Sequence, residues 1–388
     1  MSNPDQLFPV AAEPVARIPR AAYLLTGCIA VIGCNSLVLG PIAPEVAVGF
    51  DSSVTVVMTA ASAFGLGTAA SALFLARYID RFGAKRMLQR ALALLAIALV
   101  ASAVASAVIV LVAAQLLAGI AAGIALPAIY ASAAAVAPPG RESGTIGVVL
   151  TGWTLSMVAG VSLSAVLADL VHWRAVFAAV ALLAAIALVA ISAMSADDKP
   201  TGGIAPAPLG ALATPGIVPL LIACGAFMTA FYGVYGYLGD HLHQALGRPV
   251  STNGLAAISY GIGFGAAALL DGIVDRVGAR RVMPIAYLGV AAIYVLISAV
   301  AGNFALLIAT MALWGLGNHF GLNVLVMRLS MLDPSRRGTI MGLNSAVTYL
   351  AVSVGTTAFG PLYANYGFAA SALVAAVLML GAAAAAWR

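Results

Sequence analysis

Long apolar runs alternate with short polar breaks along nearly the whole chain. The runs fall at roughly 21–43, 54–76, 88–107, 108–135, 144–168, 174–194, 215–237, 252–273, 282–301, 303–328, 338–360 and 367–387. Each approaches the roughly 20 residues a helix needs to cross a bilayer. Twelve transmembrane helices are therefore predicted. One stretch breaks the alternation. Residues 195–214 carry Asp197, Asp198 and Lys199 and are rich in Gly and Pro, so they read as a linker between two halves of six spans. The first 20 residues, with Glu13, Arg17 and Arg20, read as a cytoplasmic tail. The apolar run from Ala21 is long enough to span, which argues against a cleaved signal peptide. The predicted organisation is a tail at 1–20, a six-helix bundle at 21–194, a linker at 195–214 and a second bundle at 215–388. This is an all-α membrane protein.

Composition agrees. The 388 residues are 63% hydrophobic and 8% charged, with a mean hydropathy of +1.07. A soluble domain carries roughly 25% charged residues, so the main solvent of this chain is lipid. Cys28, Cys34 and Cys224 lie inside apolar runs and read as small core residues, without a disulfide framework or a metal set. The net charge of +5 is unevenly placed. With twelve spans both termini share a side. That side holds Arg17, Arg20, Arg77, Arg81, Lys85, Arg86, Arg90, Arg141, Lys199, Arg276, Arg280, Arg281, Arg328, Arg336, Arg337 and Arg388. The other side holds Arg174 and Arg248 beside Glu45, Asp51, Asp169 and Asp240. The positive-inside rule then puts both termini in the cytoplasm, in a plasma (inner) membrane. The basic clusters read as loop anchors, not as a nucleic-acid surface.

The halves repeat. Asp80-Arg81-Phe82-Gly83-Ala84-Lys85-Arg86 returns as Asp275-Arg276-Val277-Gly278-Ala279-Arg280-Arg281, and Gly144-Thr145-Ile146 returns as Gly338-Thr339-Ile340. The shared offset is about half the chain length. Six spans separate the copies, so each pair lies on one face, as in a parallel repeat about the membrane normal.

These loops resemble the major facilitator superfamily, whose loop between spans 2 and 3 reads Gly-x-x-x-Asp-Arg-x-Gly-Arg-Arg/Lys. Asp80, Arg81, Gly83 and Lys85 match it, with Ala76 and Ala84 as departures; Asp275, Arg276, Gly278 and Arg280 match it again, with Asp271 at the first position. The resemblance implies twelve spans in two parallel-repeat six-helix bundles. It implies contacts of Asp80 with the start of span 11 and of Asp275 with the start of span 5, where free N–H groups and the helix dipole favour a carboxylate. The alternative is a basic turn that serves topology alone. His172-Trp173-Arg174-Ala175-Val176-Phe177, Asp333-Pro334 with Arg336-Arg337-Gly338, and Pro41-Ile42-Ala43-Pro44-Glu45 are similar to stretches of the drug and sugar efflux branch. Three positions depart from proton antiporters: Gln115 four residues before Gly119 in span 4, Gly160-Val161 in span 5, and Asn35 in span 1.

Strongly polar groups at membrane depth are functional candidates. The family's cavity is lined chiefly by spans 1, 4, 7 and 10. Those spans supply Asn35; Gln115 and Tyr130; Phe227, Phe231, Tyr232 and Tyr235; and Trp314, Asn318, His319 and Asn323. Trp314 with Asn318, and His319 with Asn323, are four apart and share helix faces. Trp153 and Asn344 are weaker candidates. Substrate contacts are expected from Asn35, Gln115, Phe231, Tyr235, Trp314, Asn318 and Asn323. His319 is the expected proton-sensitive group if protons are used, against the alternative of a neutral His bridging two helices. Asp240-His241-x-His243 lacks a visible fourth ligand, so no metal is expected. No phosphate-binding loop is present, and no cofactor is expected.

The expected function is export of a small organic molecule (drug, sugar or metabolite) by alternating access. Lipid and substrate are the partners, protons are an optional one, and the carrier is a monomer. An uptake or facilitative carrier is the nearest rival. A polytopic enzyme or sensor is the other; no convergent catalytic constellation and no output domain stand out.

Overall fold

A computed structural model describes residues 18–138, 141–194, 208–270 and 272–387. The tail as far as residue 17, linker residues 195–207 and Asp271 lie outside them, as does the side chain of Asp275. The described residues are helical with short connections. In lipid, a spanning segment must satisfy its own backbone polar groups, and the helix does so locally. The first six spans are α1 (Arg20–Gly49), α2 (Val54–Phe74), α3 (Ala84–Ala103), α4 (Val108–Val136), α5 (Gly144–Leu170) and α6 (Trp173–Ala193). Then follow α7 (Ile217–Ala245), α8 (Asn253–Ala267), α9 (Ala279–Val300) and α10 (Phe304–Leu332). One continuous segment, Arg337–Trp387, holds the last two spans. Gly367 breaks it at φ 80° and ψ −178°, giving α11 (337–366) and α12 (368–387). Only glycine adopts that geometry without strain. Of the expected linker, Pro208–Ala213 forms one short 3₁₀ stretch against the start of α11.

Two boundaries moved for a physical reason. α3 begins at Ala84, four residues before the predicted run, because Lys85, Arg86 and Arg90 can ride its first turns with their heads at the interface. α7 runs on past the predicted residue 237, through Asp240 and a π-helical turn at His241–Ala245. Its polar residues end the hydropathy signal before they end the helix.

The repeated loops are repeated in backbone. Gly83 has φ 90° and ψ 140°, and Gly278 has φ 90° and ψ 133°. The helix contacts repeat as well. In the first half Gly67 abuts the Leu116 carbonyl and Gly119 the Phe64 carbonyl, where α2 crosses α4. In the second half Gly263 abuts the Ala312 carbonyl and Gly315 the Tyr260 carbonyl, where α8 crosses α10. None of the four sites has room for a side-chain carbon, so backbones touch, as small residues permit in lipid. Between halves, α1 meets α7, α2 meets α11 and α5 meets α8. The last two pairings are one contact made twice by the repeat.

Candidate functional site

The polar groups at mid-membrane depth fall into two different environments. In the first half, Asn35 of α1 and Gln115 of α4 form a reciprocal amide pair. Asn35 Nδ2 donates to Gln115 Oε1 at 3.1 Å, and Gln115 Nε2 donates back at 3.4 Å and to Ser102 Oγ at 3.1 Å. Both amides are buried. Their capacity is spent on each other, as buried polar groups require. This pair ties α1, α3 and α4 together.

In the second half an aromatic cluster occupies the corresponding depth. Phe231 of α7 contacts Tyr235, Tyr260 of α8 and Trp314 of α10, with ring centroids 5.4, 5.6 and 5.2 Å away. Trp314 also meets Tyr260 at 5.3 Å and Tyr294 of α9 at 5.6 Å. Asn318, one turn from Trp314, donates to the Tyr260 hydroxyl at 3.1 Å. Its Oδ1 is buried without a hydrogen-bond partner, as are the Tyr235 hydroxyl and the Trp314 indole N–H. Phe227 turns away to stack on Tyr287 at 5.3 Å. Thus Trp314 and Asn318 share a face, and it points into the second half.

His319 lies on a different face of α10. It is half-buried, with Phe264 edge-on at 5.0 Å and Phe320 at 6.0 Å. Asn323, one turn on, is also half-buried. From the first half, Tyr130 and Trp153 lie in contact and are half-buried. Tyr349 of α11 is close to both Tyr130 and Tyr232, so aromatic groups of both halves meet at this level. Asn344 is buried with its Oδ1 unpartnered.

The seam between halves is closed at one end. On the sparsely charged side, a methyl added at Gly239 of α7 would lie 2.6 Å from the Gly40 carbonyl oxygen of α1. One at Gly254 of α8 would lie 2.9 Å from the Ser162 carbonyl oxygen of α5. Asn253 Nδ2 donates across the seam to Pro41 O at 2.7 Å and, within its own half, to Gly239 O at 3.3 Å. Ser162 Oγ donates to Gly254 O at 3.1 Å. Between α2 and α11, the Ser62 and Ser353 hydroxyls meet at 2.7 Å, and Thr357 donates to Ser62 at 2.9 Å. Further in, a methyl at Gly65 of α2 would still lie 2.7 Å from the Tyr349 carbonyl oxygen of α11, and only beyond that level, toward the basic side, do the contacts loosen. A methyl at Gly265 would meet only Thr154, at 3.8 Å. At Gly144 and Gly338, the starts of α5 and α11, it would meet nothing within 4 Å. Those are the helix starts expected to receive Asp275 and Asp80. They are open to approach in this conformation.

The loop residues are anchored within the first half. Lys85 Nζ donates to the Met194 carbonyl at the end of α6, and the Arg81 and Arg90 guanidinium groups lie over the Phe82 ring. Asp240, His241 and His243 diverge. Asp240 accepts from Tyr363, His241 Nε2 donates to Ala301 O, and His243 Nδ1 donates to Arg248 O. No group of three His, Cys, Asp or Glu among the described residues could hold a metal. Sequence reasoning missed Tyr260 and Asn253. Tyr260 sits in a Gly-rich span outside the four expected to line the cavity. Asn253 follows Ser251 and Thr252 and so resembles loop.

Comparison with known proteins places this arrangement. The sequence profile described as Major Facilitator Superfamily matches residues 25–247 and 220–388, two matches that overlap at residues 220–247 and together span nearly the whole chain. An uncharacterised MFS-type transporter of Bacillus subtilis (strain 168), YwfA, is 28% identical over 373 residues, covering 93% of this chain and 90% of that protein. Among solved structures, the human organic anion transporter MFSD10 (TETRAN) superposes with TM-score 0.72 at 16% identity, covering 95% of this chain and all of that one. The nucleoside transporter NupG superposes with TM-score 0.75 at 16% identity, covering 95% and 99%. At such identity the likeness speaks to the fold alone. The profile, however, matches both halves that the repeated loops and glycine crossings define, and the chain belongs to the Major Facilitator Superfamily of membrane transporters.

Proposed function

We propose that this chain exports a small organic molecule by alternating access, with the basic face in the cytoplasm. The observation that carries the reading is the graded seam. The halves touch backbone to backbone on the sparsely charged side, from Gly40 and Gly239 to Gly254 and Ser162, and part toward Gly144 and Gly338. Between these ends lies the level of Tyr130, Trp153, Tyr232, Phe264, His319 and Asn323, half-buried groups from both halves. They offer ring faces, an imidazole and an amide, and no formal carboxylate or guanidinium. That suits an uncharged or weakly polar cargo with flat apolar surface. Phe231, Tyr235, Trp314 and Asn318 back this layer from within the second half, and Asn35 with Gln115 hold the first half in shape behind it. In the opposite state, Asp80 and Asp275 would close on the starts of α11 and α5.

Carrier-dependent counterflow in liposomes tests the reading. A panel of neutral and charged organic compounds is screened in both orientations. Saturable exchange of a neutral compound is expected, reduced at least tenfold by Phe264→Ala. Flux equal to that of protein-free liposomes for every compound would refute it. Single cysteines at Ala84 and Ala279 should react only from the cytoplasm and one at Gly247 only from outside; the reverse pattern overturns the assigned direction.

A further inference from the structure

Asp240 sits near the end of α7 on the sparsely charged side and is 8% exposed. A carboxylate inside a span is expensive to keep and marks a functional position. Its hydrogen-bond donor is the neutral Tyr363 hydroxyl of α11, at 2.7 Å. Among the described residues, the ionisable groups acting on it are Tyr363, His243 and His241, with Tyr237 beside them. Both imidazoles are committed elsewhere. His241 Nε2 donates to Ala301 O beyond the end of α9, at 2.8 Å, with its ring stacked on Phe368 of α12. His243 Nδ1 donates to Arg248 O at 2.8 Å, and the Arg248 guanidinium lies over the Phe304 ring. No Lys or Arg side chain balances the carboxylate among the described residues.

A short aromatic path joins Asp240 to the seam. The Tyr363 ring stacks on Tyr237 at 5.0 Å, and the Tyr237 hydroxyl donates to Thr356 O at 2.6 Å. Gly360 is wedged beside that hydroxyl. A methyl there would lie 2.8 Å from the Tyr237 oxygen and 2.6 Å from Thr55 Cγ2 of α2, which belongs to the other half. On the other flank, Gly239 precedes Asp240 and bears on Gly40 of α1. The first half therefore covers this stack while the end is sealed. Withdrawal of α1 and α2 would uncover Gly360 beside the Tyr237 hydroxyl and the Gly239 backbone beside the carboxylate.

We propose that Asp240 is a proton-binding site coupled to the gate: the sealed end encloses the neutral acid, and the open, hydrated end carries the anion. This rests on the alternating-access reading above. The proton enters from, and leaves to, the water on the sparsely charged side. His319 instead lies at the cargo level among Phe264 and Phe320. The linkage has a definite sign. A proton held more tightly in the sealed state favours sealing at low pH, and sealing is lost as pH rises. Between the two proton affinities, the ratio of sealed to open molecules changes by up to about tenfold per pH unit.

The test places spin labels through Val48→Cys on α1 and Tyr366→Cys on α11, in a background without the three native cysteines. Both positions are exposed on the sparsely charged side, one in each half. Distances between the labels are measured in nanodiscs from pH 5 to pH 9. In the parent protein the long-distance population should grow as pH rises. Asp240→Asn should show one distribution, weighted to the short distance but still including the long one, at every pH, and Asp240→Glu should restore the dependence, which guards against a variant that merely misfolds. His241→Gln and His243→Gln should keep it. An unchanged pH response in Asp240→Asn, its loss in a histidine variant alone, or a parent protein indifferent to pH would each overturn the proposal. A transport arm is independent: the pH on the sparsely charged side should set the rate of counterflow in the parent, and Asp240→Asn should lose that dependence while retaining counterflow. If no compound is carried at all, the transport reading fails, and the distance measurement still decides the proton site.

Discussion

Gly239→Ala is the sharpest probe of the sealed end. The added methyl would fall 2.6 Å from the Gly40 carbonyl oxygen, 2.9 Å from Pro41 Cα and 3.0 Å from Asn253 Nδ2. Two of these neighbours are backbone, so no side-chain rotation relieves the clash. Overpacking of this kind costs about 1–3 kcal/mol. The general gain of about 1 kcal/mol for Ala over Gly in a helix applies in both conformations and cancels from the equilibrium between them. The clash exists only while the end is sealed. The sealed-to-open ratio should therefore fall by about 5- to 150-fold. Labels at Val48→Cys and Tyr366→Cys would report it as a shift toward the long distance at fixed pH. Gly225→Ala is the control, since its methyl would make ordinary contact with Val347 at 3.7 Å. Asn253→Ala should act in the same direction and less strongly, losing the donation across the seam to Pro41 O, worth about 0.5–1.5 kcal/mol. If Gly239→Ala shows the same distances as Gly225→Ala, the seam is not the gate.

Two further predictions concern stability. Asn35→Ala strands a buried Gln115 amide, so it should lower thermal stability by about 1–3 kcal/mol while changing cargo affinity less than about twofold; a tenfold affinity loss at unchanged stability would put Asn35 back at the cargo. Asp333, half-buried between α10 and α11, is held below the usual carboxylate range by the Ser335 hydroxyl at 2.6 Å, helped by the Ser335 N–H and by Arg336. A group depressed by folding stabilises above its unfolded pKa and loses that contribution as pH falls through its folded value. The melting difference between the parent and Asp333→Asn should therefore begin to shrink only below about pH 4 and vanish below the depressed folded value; a difference that grows on acidification would contradict the assignment.

The apolar helices and the turns of the paired loops were legible because each rests on a local property. Lipid demands long apolar helices, and a turn at positive φ demands glycine, so Gly83 and Gly278 announce themselves. What failed to show was whatever depends on partners. Asn35 and Gln115 stand out as costly polar residues, yet only the fold reveals that they satisfy each other. Asp240 looked like the first charged residue beyond a span, because hydropathy scores a side chain as though it faced lipid, whereas this one faces Tyr363. Asn253 was hidden by Ser251 and Thr252 beside it. The glycine crossings were in principle readable: Gly67 and Gly119 recur as Gly263 and Gly315 at one common offset. No motif flagged them, since a glycine's role lies in the backbone that approaches it.

Those crossings also bear on which parts move. Within each half they are made twice, by different residues in the same geometry, and each brings backbone against backbone with no space to spare. Such contacts resist sliding, because dense packing has no continuous range of alternatives. Across the halves the contacts vary along the seam, from carbonyls against glycine at Gly239 and Gly254, through the hydroxyl pair at Ser62 and Ser353 with Gly65 against the Tyr349 carbonyl beside it, to open space at Gly338. The hydroxyl pairs are each worth only about 0.5–1.5 kcal/mol, small enough for cargo binding or one proton to offset. Motion is therefore expected at the seam, with each half turning as a body. The level of Tyr130, Tyr232 and His319, between the tight end and the open one, is where such turning changes access while moving the cargo least.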